Sequence, residues 1–173
     1  MKKKLTLLLL LTMLMLSACS SNPDALVKIT VPADFVGETT QEDLDNIAST
    51  NGYKSIALQS DGSAIYTMTK QQHTDMMDEM ATNINNSLDG LIGAEDFPNF
   101  TEIKANETFT EFTITTKSTE LDTLESFSVI AFFMYGEMYN AFNGTPVENI
   151  TATFINADSG EVISTQNSTD MGF

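Results

Sequence analysis

Seven short stretches of the chain alternate apolar with polar residues, the pattern of half-buried β-strands. In the first, Val27, Ile29 and Val31 alternate with polar residues until a proline ends the pattern. Two stretches are joined across Asp61-Gly62, a dipeptide that favours the positive φ of a tight hairpin. The predicted strands cover residues 27–31, 53–59, 64–68, 100–104, 108–116 and 150–154, and the region around 162–163.

Apolar residues at three- and four-residue spacing predict three helices between these strands. Two helices start at sequences typical of capping boxes, Thr39 with Glu42 and Thr69 with Gln72. The predicted helices are one of about ten residues that ends at Asn51-Gly52, one that ends near residues 90–93, and one over about 119–142.

The third helix is predicted to be the central element of the fold. Its sequence is apolar on all sides between Val129 and Tyr135, which indicates a buried helix, and Ser118 or Thr119 is expected to cap it. The element order is therefore βα-ββα-ββα-ββ. We expect an α+β fold in which one antiparallel sheet of about seven strands packs one face against three helices.

The N-terminus has the layout of an export signal. Three lysines, Lys2 to Lys4, precede the apolar run Leu5 to Leu16, and small residues lead from there to a cysteine. The run of twelve residues is shorter than the roughly 20 needed to span a bilayer as a helix, so we expect residues 1–18 to be cleaved. Removing them from the 173 residues leaves 155, enough for a single domain.

The end of this signal, Leu16-Ser17-Ala18-Cys19, resembles the lipobox of bacterial lipoproteins. The resemblance implies cleavage before Cys19, a diacylglyceryl thioether on its sulfur, and attachment to the outer face of the cell membrane. Two acyl chains suffice for stable anchoring. The alternative is an ordinary signal peptide with a coincidental cysteine. We expect a lipidated tether over 19–26, one α+β domain over 27–167 and a C-terminal tail over 168–173.

The mature chain also resembles a group of uncharacterised lipoproteins of Gram-positive Firmicutes. The resemblance implies the same cell-surface placement and a single domain, and it implies no activity. The stretches that carry it are Ile29-Thr30-Val31-Pro32, Asn51-Gly52-Tyr53, Asp61-Gly62-Ser63, Tyr66-Thr67-Met68-Thr69-Lys70, Phe142-Asn143-Gly144-Thr145 and Gly160-Glu161-Val162-Ile163.

The charge of the mature chain narrows the choice of partners. All 24 acidic residues follow the signal, against five remaining lysines, so the mature net charge is −19. Binding to nucleic acid requires clustered Lys or Arg to displace counterions from phosphates. We therefore exclude nucleic acid as a partner, and we expect an unknown protein or small molecule to be the ligand.

Candidate sites for chemistry are sparse. His73 is the sole histidine, and a catalytic role would make it a general base beside Asp75, but its place at the start of a helix favours a structural role. Two acidic clusters are candidates for calcium, but neither has the spacing of a calcium loop. A methionine cluster is a candidate for copper, although core packing is its ordinary explanation, and a tyrosine pair could face a groove between the third helix and the sheet. These candidates are Glu42, Asp43 and Asp45; Asp75, Asp78 and Glu79; Met76, Met77 and Met80; and Tyr135 and Tyr139.

The sequence therefore favours a membrane-anchored lipoprotein that acts as a non-catalytic binding or interaction module. It predicts no cofactor and no metal. Two alternatives remain at this point: a carboxylate- or calcium-dependent enzyme of the cell surface, and a purely structural envelope protein. The first requires acidic residues that folding brings into one cleft, and the second requires a surface without a sizeable pocket.

Overall fold

A computed structural model describes residues 22–172, so the predicted signal peptide and the lipobox with Cys19 lie outside the described residues. The strands are β1 (Leu26–Val31), β2 (Ser55–Leu58), β3 (Ala64–Thr69), β4 (Phe100–Ala105), β5 (Glu111–Thr116), β6 (Thr151–Asn156) and β7 (Val162–Asn167). The helices are α1 (Ala33–Val36), α2 (Gln41–Asn51), α3 (Lys70–Leu91), α4 (Thr123–Phe127), α5 (Val129–Asn143) and α6 (Ser168–Met171).

The fold is α+β, as predicted, but the single sheet of seven strands was wrong, and so was the number of three helices, since the described residues also form the short helices α1 and α6 and divide the third helix. The described strands form a three-stranded sheet of order β1-β3-β2 and a four-stranded sheet of order β4-β5-β6-β7. Strand β6 runs parallel to β5, because the chain crosses through α4 and α5 before it returns to the same sheet. Alternation shows that one face of a strand is buried, but it does not identify the neighbouring strand.

Both predicted hairpins are present. Strands β2 and β3 pair antiparallel, and Gly62 in the turn between them has φ 85°. Strands β4 and β5 also pair antiparallel, and the turn between them is held by Asn106 Oδ1, which accepts bonds from the main-chain N–H groups of Thr110 (2.8 Å) and Glu111 (3.2 Å). Phe109 in this turn is buried at φ 53°.

The capping box of α3 is confirmed, and that of α2 lies one residue later than predicted. Thr69 and Gln72 exchange the two side-chain bonds to main-chain N–H groups that define the motif. In α2 the same exchange joins Thr40 and Asp43. Adjacent threonines followed by adjacent acids satisfy the motif in either register, so the sequence alone did not distinguish them.

The predicted third helix over 119–142 is divided in the structure and starts later. Asp122 caps α4, rather than Ser118 or Thr119, and forms a capping box with Glu125. Ser128 joins α4 to α5 and donates a bond from Oγ to the carbonyl oxygen of Glu125 (2.6 Å). The prediction that the middle of this helix is buried on all sides was too broad, because Met134 is 55% exposed.

Two apolar cores hold the elements together. The larger core lies between the four-stranded sheet and helices α3 and α5, and the smaller one lies between α2 and the three-stranded sheet. Fully buried side chains of the larger core include Ile84, Leu88, Phe112, Phe132, Phe133 and Phe154. The smaller core contains Leu44, Ala48, Ile56 and Ala64.

The region predicted as a C-terminal tail packs against the second sheet over its first residues. Ser168 starts α6, is 1% exposed and accepts a bond at Oγ from the main-chain N–H of Ile150 (2.9 Å).

Candidate ligand-binding cleft

A cleft of about 470 Å³ separates β1 from the C-terminal end of α5. Lys28, Ile29 and Thr30 form part of one wall, and Glu137 and Asn140 form part of the other. Binding sites for small molecules in proteins commonly measure roughly 300 to 1,000 Å³. The cleft therefore has the size of a ligand site.

The end of α5 packs closely against β1 and is joined to α3 by a hydrogen bond. Gly144 ends the helix at φ 74°, and a Cβ at this position would lie 3.2 Å from Ile29 Cδ1. Pro146 follows, and a proline cannot continue a helix. His73 Nε2 donates to the carbonyl oxygen of Phe142 (2.9 Å), which ties the same end of α5 to α3.

Asn140 is held in a fixed orientation where it lines both the cleft and an adjoining hollow. Its side chain is 2% exposed, and Nδ2 donates to the carbonyl oxygens of Thr108 (2.7 Å) and Gly136 (2.8 Å). Two carbonyl partners define which amide atom is the nitrogen. Among residues 22–172, Asn140 Oδ1 has no hydrogen-bond partner. Every side-chain N or O atom of these residues that is shielded from solvent does have a partner, so Asn140 Oδ1 is not fully shielded. Oδ1 therefore keeps contact with solvent in the cleft or in the hollow that adjoins it.

The cleft also carries two opposite charges that do not pair. Glu137 lies three residues before Asn140, which puts the two side chains on the same side of α5. Burial raises the pKa of the Glu137 carboxyl group above its ordinary value. Lys28 lies on the opposite wall, and in the described part of the chain the one ion pair joins Lys104 Nζ to Glu102 Oε1 (2.8 Å). Lys28 and Glu137 thus both remain available to a ligand.

The main chain of β1 adds an unpaired strand edge to the cleft. The N–H of Lys70 donates to the carbonyl oxygen of Ala25 (2.8 Å), and with the β1–β3 register this sets which residues of β1 bond to β3. Those residues are the odd-numbered ones, so the N–H and C=O groups of Lys28 and Thr30 point away from β3. Consistent with this, Thr67 opposite Lys28 directs its carbonyl oxygen to the β2 side.

The other edge of the same sheet is covered. At β2, Gln41 Oε1 accepts from the N–H of Leu58 (2.9 Å), and Gln41 Nε2 donates to the carbonyl oxygen of Ile56 (2.7 Å). One side chain thus occupies an outward donor and an outward acceptor, a common way to protect an edge strand. At β1 the equivalent groups border the cleft instead.

The predicted methionine cluster and one of the two predicted tyrosines meet in a second depression. Met76, Met80, Met138 and Tyr135 line a groove of about 330 Å³ between α3 and α5, whereas Met77 is buried. Tyr135 therefore lies in a groove between two helices, and not in the expected groove between the third helix and the sheet. Tyr139 packs against Phe109 at a ring distance of 4.8 Å.

His73 has the structural role that its position favours. It is half-buried in the first turn of α3, and its ring bonds to α5 as described above. Asp75, the carboxylate considered as its catalytic partner, instead accepts a bond from Gln71 Nε2 (2.8 Å). The two side chains thus serve different contacts.

The acidic clusters stay on helix surfaces. Asp43 accepts bonds from Thr40, which hold the pKa of its carboxyl group below the ordinary value, and Asp45 accepts from Gln41 Nε2 (2.8 Å). Asp78 and Glu79 are exposed on α3. Within residues 22–172, no group of three or more His, Cys, Asp or Glu side chains is placed to hold a metal ion.

The residues that make up the cleft were not singled out from the sequence. Lys28 lies more than 100 positions from Glu137 and Asn140, so only the fold brings them together. A weak signal was present in α5, because Asn140 is a polar residue in a largely apolar helix. A buried polar residue generally has a specific partner or role.

Two further observations bear on the identity of the protein. Among the helices of the described region, none combines the length and the apolar character required to cross a membrane. The chain matches no protein-family model, and neither a curated protein nor a solved structure shows significant similarity to it.

Proposed function

We propose that this protein is a lipid-anchored, extracytoplasmic binding module that holds a polar ligand in the cleft between β1 and α5. The observation that carries the proposal is the cleft of about 470 Å³ itself, in which Lys28 and Glu137 lie on facing walls without forming an ion pair. An unpaired ammonium group and an unpaired carboxylate in one cleft offer a polar ligand both hydrogen-bond donors and acceptors.

The proposed anchor would hold the domain close to the bilayer. Main-chain N–H groups of α3 bond to the carbonyl oxygens of Pro23 (3.1 Å) and Ala25 (2.8 Å), so the domain is already attached to the chain at Pro23. The three residues between Cys19 and Pro23 span at most about 13 Å with their flanking bonds. The N-terminal end of the domain would therefore be held within about 13 Å of the lipidated residue at the membrane surface.

The cleft favours binding over the two alternatives. A purely structural envelope protein has no need for a cavity with unpaired charges. A carboxylate- or calcium-dependent enzyme needs several acidic groups in one site, and of the acidic residues Glu137 alone lines this cleft.

Native mass spectrometry of the intact protein, extracted with detergent from its own membrane, tests the proposal. The expected mass is that of a chain beginning at Cys19 with a diacylglyceryl group, together with a bound small molecule or peptide. A double variant, Lys28→Met with Glu137→Gln, is expected to lose the ligand. Lys117→Met with Glu120→Gln changes the same charges at exposed positions away from the cleft and should retain it.

Two results would contradict the proposal. If residues upstream of Cys19 remain, or if its sulfur is unmodified, the anchor is wrong. If no ligand is found, or if the two double variants retain it equally, the cleft is not the binding site.

Glu137→Gln is expected to leave the fold intact and to change its pH dependence. Burial raises the pKa of the Glu137 carboxyl group in the folded state. The contribution of the protonated carboxyl group to stability is therefore fully present below the ordinary pKa of 4.5 and is lost as the pH rises through the raised pKa. Glutamine carries no charge at any pH, so the variant should be at least as stable as wild type at pH 7. The difference should vanish under acidic conditions, and urea unfolding across this range measures it. A variant less stable than wild type at pH 7 would contradict the assignment.

A further inference from the structure

The chemistry of the cleft indicates one class of ligand within the proposed function. We infer that the cleft binds a short extended peptide, which adds as a strand to the free edge of β1 and places its N-terminal ammonium group against the Glu137 carboxylate. This inference rests on the cleft being a binding site, and it specifies what the cleft recognises.

The edge of β1 supplies the main-chain half of the recognition. Lys28 and Thr30 each present one N–H and one C=O away from β3, and both residues line the cleft. Residues two positions apart in a strand, such as Lys28 and Thr30, lie about 7 Å apart, and alternate residues of an extended peptide have the same spacing. An extended peptide can therefore pair with both residues at once, as in other cases of strand addition to a sheet edge.

The position of proline limits where this pairing can occur. Pro32 follows β1 immediately, lines the cleft and has no N–H to donate. The open edge therefore comprises a few residues that include Lys28 and Thr30, and a peptide of three or four residues matches its length. The opposite edge of this sheet is not available, since Gln41 occupies it.

The side chains of α5 supply the charged half. Glu137 lines the cleft on the α5 side, and its carboxylate forms no ion pair with Lys28 across the cleft. An ammonium group carries a positive charge and three donors, so it can pair with this carboxylate and offset the cost of its burial. The strong negative charge of the chain, −16 over its full length, also attracts cationic groups.

Isothermal titration calorimetry of the intact protein in detergent tests this inference with three synthetic peptides. The first is tetra-alanine amide with a free N-terminus. The second is the same peptide with an acetylated N-terminus, which lacks the ammonium charge. The third has N-methyl groups on alternate residues, which removes donors on one side of the extended chain.

The free peptide is expected to bind, and acetylation should weaken its binding to wild type by about tenfold or more, the effect of losing a charge-assisted hydrogen bond. In Glu137→Gln the free peptide should bind more weakly than in wild type, and acetylation should have a much smaller effect. N-methylation in one of its two possible registers should abolish binding, while the other register should be tolerated.

A pair of variants at Thr30 tests the strand edge from the protein side. Thr30→Pro removes the N–H group that points away from β3, and it leaves every hydrogen bond between β1 and β3 in place. An edge strand tolerates proline at such a position. Thr30→Val keeps the N–H and the β-branched shape. The proline variant should weaken peptide binding about tenfold, and the valine variant should not. The N-methylated peptides provide the same test without altering the protein, should the proline variant fail to fold.

The inference is overturned if the free and acetylated peptides bind wild type equally, if N-methylation has no effect in either register, or if no peptide binds. A ligand found by native mass spectrometry and lost in the Lys28→Met, Glu137→Gln variant would then leave the proposed function standing with a different ligand class. Failure of both experiments would remove the function as well.

Discussion

Gly136→Ala is expected to lower the free energy of unfolding by about 3 kcal/mol or more, or to prevent folding. A Cβ at this position would overlap the carbonyl oxygen of Phe109 and would lie 2.6 Å from Ile150 Cδ1. The carbonyl belongs to the turn between β4 and β5, where Phe109 is buried at positive φ, so it has little freedom to move. Glycine at this point allows α5 to approach the turn closely enough for Asn140 to bond to Thr108.

Gly90→Ala is the matched control for this prediction. Gly90 lies in α3, and a Cβ there would meet no heavy atom within 4 Å. Because alanine favours a helix by up to about 1 kcal/mol over glycine, this variant should be slightly more stable than wild type. Urea unfolding monitored by circular dichroism measures both changes. If the two variants differed by less than about 1 kcal/mol, α5 would not pack against this turn as described.

Glu125→Ala is expected to destabilise the protein by about 3 kcal/mol. The carboxylate is 2% exposed and accepts three bonds, from Thr116 Oγ1 (3.1 Å), Ser118 Oγ (2.7 Å) and the main-chain N–H of Asp122 (3.1 Å). These bonds join the end of β5 to the start of α4, which is the connection that leads into the parallel pairing of β5 with β6. Alanine leaves three donors without their acceptor and also removes half of the capping box.

Glu120→Ala provides the corresponding control, since Glu120 is an exposed acidic residue of the same loop. Its effect should stay within about 0.5 kcal/mol of zero. Thermal and urea unfolding of the two variants make the comparison. Equal stability of Glu125→Ala and Glu120→Ala would show that the buried carboxylate does not hold this connection together.

Local features of the fold were predictable because their causes lie within a few residues. The turn at Gly62 and the capping box of α3 each depend on a short sequence with a defined geometry. The start of the third helix was missed for a local reason too. Ser118 and Thr119 are good capping residues, but Asp122 also bonds to Glu125, and the burial of that carboxylate favours the later start.

Features that depend on distant contacts were not predictable from one sequence. The alternation of β5 and β6 is the same whether they pair antiparallel or parallel, and it does not show that the strands divide into two sheets. The cleft belongs to this class, because Lys28 and Glu137 are distant in the sequence and each alone resembles an ordinary surface charge. The predictions of a lipobox at Cys19 and of a cell-surface location remain predictions.

The exposed edge of β1 as the site of ligand binding is tested most directly by amide hydrogen exchange at single-residue resolution. In the intact protein without peptide, the N–H groups of Lys28 and Thr30 should exchange faster than those of Ile29 and Val31, which bond to β3. Saturating tetra-alanine amide should slow exchange at Lys28 and Thr30 by at least about tenfold and leave Ile29 and Val31 nearly unchanged. Equal protection of all four amides without peptide, or no change at Lys28 and Thr30 with it, would contradict the proposed site.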